Sequence, residues 1–171
     1  MPKLNKTDSR QILAAMFSIV FSVTAFSQVT DARFTPSDDY IIDETFFKLP
    51  PGRSIGATSG LAIHPNGSSF WIFDRCGATD CQGSTLAPIM KFDREGNHLL
   101  SFGANLFQRP HGLTVDRDGN VWVTDDVGSP DIDTLGEGKG HQVFKFSPEG
   151  ELLMTLGSPG ISGKGPDTFN M

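Results

Sequence analysis

GLTVDRDGNVWVTD, residues 112–125, alternates apolar and polar positions, breaks at an Asp-Gly turn, and alternates again to a final aspartate. That is the period-two pattern of two strands joined by a hairpin, not the 3.6-residue stripe of a helix. GLAIHPNGSSFWIFD at 60–74 carries the same pattern 52 residues earlier. A second hairpin follows each copy: MKFDREGNHLLSFG at 90–103 and FKFSPEGELLMTLG at 144–157, 54 residues apart. Each repeat therefore predicts four short strands around Gly-rich turns. One such sheet cannot bury both of its faces, so copies must stack on each other. Four-stranded blades packed radially make a β-propeller. The expectation is an all-β fold with about two to three blades in 60–171.

The first 27 residues read differently. Lys3, Lys6 and Arg10 form a basic head, ILAAMFSIVFSVTAF is apolar, and Ala25-Phe26-Ser27 places small residues where a signal peptidase reads. We expect a secretory signal at 1–27, a secreted or periplasmic product, and no stable membrane insertion after cleavage. The apolar run is shorter than the roughly 20 residues that span a bilayer. Cleavage takes the formal charge from −6 to −8, because three basic residues and Asp8 leave. So acidic a chain, with no basic patch, is a poor partner for nucleic acid.

Residues 28–59 lack the repeat and are expected to form an irregular lead-in arm. At the other end, Phe107-Gln108-Arg109 aligns with Phe169-Asn170-Met171, so the sequence stops inside a repeat. We expect an N-terminal fragment of a longer propeller, with self-assembly of short chains into a ring as the alternative.

SGLAIHP, FDRCG, NLFQRPHGLTVDRDGNVWVTD and HQVFKF together resemble the NHL repeat family of propellers and, within it, the peptidyl-α-hydroxyglycine α-amidating lyases. The resemblance implies six blades when complete, and cleavage of a peptidyl-α-hydroxyglycine to a peptide amide and glyoxylate. It also implies a zinc ion and a structural calcium ion. His111 falls on one of three zinc-ligating histidines and Arg75 on an active-site arginine. Leu61 and Leu113 fall on the residues whose backbone carbonyls hold calcium. The remaining ligands and the catalytic tyrosine belong to blades beyond this sequence, so the fragment itself is expected to be inactive.

Each residue also has a structural reading. His111, between Pro110 and Gly112, enters the innermost strand of a blade, where imidazoles from several blades can converge on a metal; a turn histidine bonded to backbone is the alternative. Arg75 follows the strand FWIFD on a blade rim and can fork onto a substrate carboxylate, or simply pair with Asp74, Asp80 or a neighbouring blade. Cys76 and Cys81 are the only cysteines, and an even count in an exported chain argues for a disulfide.

Asp74 and Asp125 end equivalent strands and are expected to accept backbone N–H groups. Trp71 and Trp122 are expected in the core, and His64 and His98 in solvent. His141 opens HQVFKF with no assignable role. DIDTLGEG at 131–138 lacks a carboxylate at position twelve of a calcium loop, so 127–140 is expected to be an insertion between strands. The partner is expected to be a peptide-like substrate. A non-catalytic propeller binding peptide, glycan or protein is the rival, and a calcium-dependent lactonase-like propeller a further one.

Overall fold

The structure, a computed structural model, describes residues 41, 43–126 and 138–169. The signal segment, Tyr40 and most of the 127–140 insertion lie outside the described residues, as do Asn170 and Met171.

Eight strands form two four-stranded antiparallel meanders. The first runs β1 (Thr58–Ile63), β2 (Ser69–Asp74), β3 (Ile89–Asp93) and β4 (His98–Phe102). The second runs β5 (Pro110–Val115), β6 (Val121–Asp125), β7 (Gln142–Phe146) and β8 (Leu152–Leu156). No helix occurs among the described residues.

Even the irregularities repeat. A bulge at Thr58/Gly60 in the first sheet has its counterpart at Pro110/Gly112 in the second, and one at Lys91/Phe92 has its counterpart at Lys145/Phe146. Such bulges twist and bend a strand locally, so matched positions give the two sheets matched curvature.

The pleat decides what each face buries. Trp71, Phe73 and Ile89 point from the first sheet to the second, and Val121, Val123, Phe144 and Phe146 point back. All seven are no more than 3% exposed. Phe107, in the connection from β4 to β5, wedges between the sheets with its ring centroid 5.0 Å from Phe73 and 5.1 Å from Phe144. The innermost strands β1 and β5 approach closely at Gly60, where a Cβ would lie 2.7 Å from the Leu113 Cβ. A larger residue there would force the sheets apart.

The other face of the first sheet carries Phe70, Ile72, Met90 and Phe92, and part of the lead-in arm covers it. Phe47, Leu49 and Ile55 pack on that face, and Lys48 forms a parallel bridge to Asn97. Residues 43–57 thus lie along the sheet, and β1 opens at Thr58, two residues before the repeat becomes legible in the sequence.

Among the described residues nothing covers the outer face of the second sheet. Thr114, Trp122, Thr124 and Val143 line a concavity of about 520 Å³ there. Trp71 is fully buried, but Trp122 is half-exposed and so departs from the expected core position. Its indole N–H donates to Asp116 at 3.0 Å, while Lys145 lies 4.8 Å from the ring centroid. His64 and His98 also depart from expectation. Both are half-buried; His64 lies against Gly119 of the second sheet, and His98 is edge-on to Phe92 and 2.6 Å from the Ser101 hydroxyl.

Truncating the wedge, Phe107→Ala, is expected to cost about 3–5 kcal/mol as a core aromatic deletion. Leu153→Ala, on the exposed β8 edge, should stay within about 0.5 kcal/mol. Urea unfolding of both variants checks the contrast.

Candidate functional site

The strands β2 and β6 both end in an aspartate whose side chain holds the segment leading into the inner strand of its sheet. The Asp74 carboxylate accepts the N–H of Gly56 at 2.6 Å and of Gly77 at 2.7 Å, and pairs with the Arg53 guanidinium at 2.6 Å. The Asp125 carboxylate accepts the N–H of Gln108 at 2.9 Å and of Arg109 at 2.7 Å. Both are fully buried, and both accept backbone N–H groups as their repeated position suggested. Only Asp74 has a cation against it.

Burial pushes the Asp125 carboxyl up to about 6, against the pull of the Gln108 and Arg109 N–H groups, and the neighbouring Asp126 charge adds to the rise. Asp116, in the exposed β5–β6 turn, goes the other way. Hydrogen bonds from Asn120 and the Trp122 indole hold it well below the usual carboxylate range.

Arg75 is the first residue beyond Asp74. Its Nε–H donates to the Pro110 carbonyl at 2.9 Å, and Nη1 reaches the Thr79 carbonyl at 3.4 Å. Its hydrogen bonds therefore go to backbone oxygens rather than to Asp74 or Asp80. With Nε committed, a carboxylate can meet only the terminal nitrogens, which narrows the expected fork. The loop that carries Arg75 is closed by a Cys76–Cys81 disulfide with Cα atoms 5.1 Å apart. It is stitched to the next blade a second time, by the Cys81 N–H to the Gln108 carbonyl at 2.7 Å.

Pro110 precedes His111, so this stitching brings the two residues from separate repeats to one end of the sheets. His111 has a side chain 58% exposed, with Nε2 3.6 Å from the Asp126 carboxylate. The same carboxylate lies 3.9 Å from Arg109 Nη1, and the Asp126 N–H donates to the Arg109 carbonyl at 3.1 Å. Asp126 was not singled out in the sequence, yet a signal existed. Asp74-Arg75 aligns with Asp125-Asp126, so Arg75 and Asp126 hold the same position in successive repeats and both turn to the entrance of β5.

Leu61 and Leu113 occupy matched positions on β1 and β5, opposite Ile72 and Val123. His141, at the head of β7, is only 3% exposed and has a left-handed backbone with φ 54°. Among the described residues no group of three or more His, Cys, Asp or Glu side chains could hold a metal ion. His111 is thus one exposed imidazole facing one carboxylate, and the described residues do not complete a zinc or a calcium site.

The comparisons with known proteins follow the same lines. The NHL repeat profile matches residues 107–129. A Caenorhabditis elegans protein named "Probable peptidyl-alpha-hydroxyglycine alpha-amidating lyase pgal-1" is 34% identical over 131 residues, covering 67% of this chain and 33% of its own length. The peptidyl-glycine alpha-amidating monooxygenase of Mus musculus is 48% identical over 152 residues, which cover 76% of this chain and 14% of that protein. Peptidyl-alpha-hydroxyglycine alpha-amidating lyase 1 of Drosophila melanogaster is 42% identical over 73 residues, covering 41% of this chain and 11% of its own. The chain thus spans a third or less of the length of these relatives.

Because the folded Asp125 pKa lies above its ordinary 3.8, the folded chain binds this proton more tightly than the unfolded one. Stability from this group is therefore greatest below pH 3.8 and falls as pH rises towards 6, by up to about 3 kcal/mol. Asp93 and Asp116, held low, act in the opposite sense only below 3.8. Asp125→Asn should flatten the urea midpoint across that window, and the wild-type carboxyl should titrate near pH 6 by NMR.

With an NHL repeat at 107–129 and two matched four-stranded sheets packed face to face, the chain is an NHL-repeat protein forming part of a β-propeller, similar to the peptidyl-α-hydroxyglycine α-amidating lyases.

Proposed function

We propose that this chain forms part of an exported lyase that cleaves a peptidyl-α-hydroxyglycine into a peptide amide and glyoxylate. The observation that carries the reading is the link across the blade boundary. Arg75, from the first repeat, is hydrogen-bonded to the residue next to His111, from the second. Two residues that sequence resemblance assigns to one site, 36 positions apart, therefore stand at one end of the sheets.

In the reaction the substrate hydroxyl loses its proton, its oxygen becomes the aldehyde carbonyl of glyoxylate, and the C–N bond breaks. The departing nitrogen takes up a proton and becomes the amide. Arg75 suits the carboxylate of the glycine end. Its plane is fixed by the Pro110 and Thr79 carbonyls, which leaves Nη2 for a charge-assisted contact. The disulfide and the Cys81 bond hold the loop, so the guanidinium meets the substrate already oriented. His111 sets an imidazole beside it, steadied by Asp126. Zinc and calcium are part of the proposal for a complete ring. The described residues do not make up either site, so no step is routed through a metal.

The 171-residue chain supplies one arginine and one exposed histidine of the expected set, and we expect it alone to release no glyoxylate. A complete propeller that includes this chain should release glyoxylate from a peptidyl-α-hydroxyglycine. Arg75→Ala in that protein should lower kcat/KM by about 10²-fold, the loss typical of a misplaced substrate. Glyoxylate assays on both proteins check this. A complete propeller that binds peptides and yields no glyoxylate would replace the lyase with the non-catalytic reading.

A further inference from the structure

The β1–β2 turn is one residue longer than its counterpart between β5 and β6, and it carries Asn66-Gly67-Ser68. All three residues are exposed. The Asn66 side-chain oxygen accepts the Ser68 N–H at 2.9 Å and the Ser68 hydroxyl at 2.6 Å, and it lies 2.8 Å from His64 Nδ1, which is a third donor in the tautomer protonated there. An amide oxygen offers two lone pairs, so the third contact exceeds what the ground state needs. Three donors around one oxygen suit a tetrahedral oxyanion, which donors placed in advance stabilise.

The nucleophile is the next residue in the chain. The Gly67 nitrogen can close a five-membered ring on the Asn66 Cγ. Gly67 has no side chain, and a Cβ built on it would meet nothing within 4 Å, so no side chain hinders the approach of that nitrogen.

We infer that Asn66 is a self-modification site, converting to aspartate and isoaspartate through a cyclic imide. A solvent base removes the Gly67 N–H proton, and the nitrogen attacks Cγ to form an N–C bond and an oxyanion within reach of His64 and Ser68. The oxyanion collapses, the Cγ–Nδ2 bond breaks, and ammonia departs with a proton from solvent. Water then opens the imide at either carbonyl. One water is consumed and one ammonia released. The Gly67 N–H bond to the His64 carbonyl, at 2.7 Å, must open first, so conversion follows local opening of the turn.

The change bears on the contact between sheets. The His64 ring reaches the second sheet, its Nε2 2.9 Å from where a Cβ on Gly119 would stand. Isoaspartate would lengthen the turn backbone by a methylene beside that contact and add a negative charge. The other described asparagines serve as internal controls. Asn97 and Asn120 follow their turn glycines, and their Nδ2 groups donate to Asp93 and Asp116. Asn97, Asn105 and Asn120 precede His98, Leu106 and Val121, whose side chains crowd the next amide. None of this depends on the lyase reading.

The test is to incubate the purified 171-residue chain at mildly alkaline pH and follow its tryptic peptides by liquid chromatography and mass spectrometry. Peptide 54–75 should gain the mass of an amide-to-acid exchange and split into aspartate and isoaspartate forms, while 95–117 and 118–139 stay unchanged. Asn66→Gln should abolish the gain, and Gly67→Ala should slow it several-fold. His64→Ala and Ser68→Ala should slow it as well, with circular dichroism confirming the fold. No conversion at Asn66 while a free peptide of the same sequence converts would overturn the site. Rates unchanged in His64→Ala and Ser68→Ala would overturn the role of the three donors.

Discussion

A short four-stranded sheet with apolar residues on both faces is not stable in water by itself, and this constraint shapes everything else in the chain. Burial of Trp71, Phe73 and Ile89 against Val121, Val123, Phe144 and Phe146 satisfies one face of each sheet. The wedge of Phe107 fills the space where the two twisted surfaces diverge, and Gly60 lets the inner strands close up. At about 25 cal/mol per Å² of apolar area, side chains of this size dominate the packing, and hydrogen bonds select the register. The arm covers the outer face of the first sheet, so the blades differ in what they still expose. Among the described residues nothing covers Trp122 on the second sheet.

Packing fixes the sheets, and the rim then follows from two aspartates. Asp74 and Asp125 end equivalent strands, are equally buried, and each holds backbone N–H groups of the segment that leads into an inner strand. Asp74 serves Gly56, ahead of β1, and Asp125 serves 108–109, ahead of β5. The Arg53 guanidinium offsets the burial of one carboxylate, and the other keeps part of its cost as a raised pKa. Breaking a buried, hydrogen-bonded carboxylate would free the segment it holds, with its consequences felt at His111 and Arg75 rather than in the core.

The strands, the turns and the all-β character were legible because they depend on local alternation and Gly-rich turn chemistry, and the second copy resolved what one copy left open. The buried carboxylates were legible for the same reason: they recur at one position. What the sequence could not display was any feature set by a neighbour. Whether Trp122 is core depends on a surface beyond the second sheet, although its own pattern matches that of Trp71. The Arg75 contact with Pro110 is made to a backbone carbonyl, which has no residue-type signature. His98 seemed solvated because it follows a polar turn, yet the Phe92 ring and the Ser101 hydroxyl take it partly out of water.

The repeat also explains how a structural scaffold comes to hold a site at one place only. Two copies with the same strand ends present the same position after the capping aspartate, and a residue there turns to the next inner strand whatever its chemistry. In the first copy it is Arg75, a cation fixed on the Pro110 carbonyl; in the second it is Asp126, an anion facing His111. The disulfide belongs to the first copy alone and stiffens the loop whose guanidinium needs a set direction. Opposite charges at one repeated position, converging on one strand entrance, distinguish this rim from a stack of identical blades. In the proposed lyase reading, function therefore depends on where the repeats diverge, and stability on where they agree.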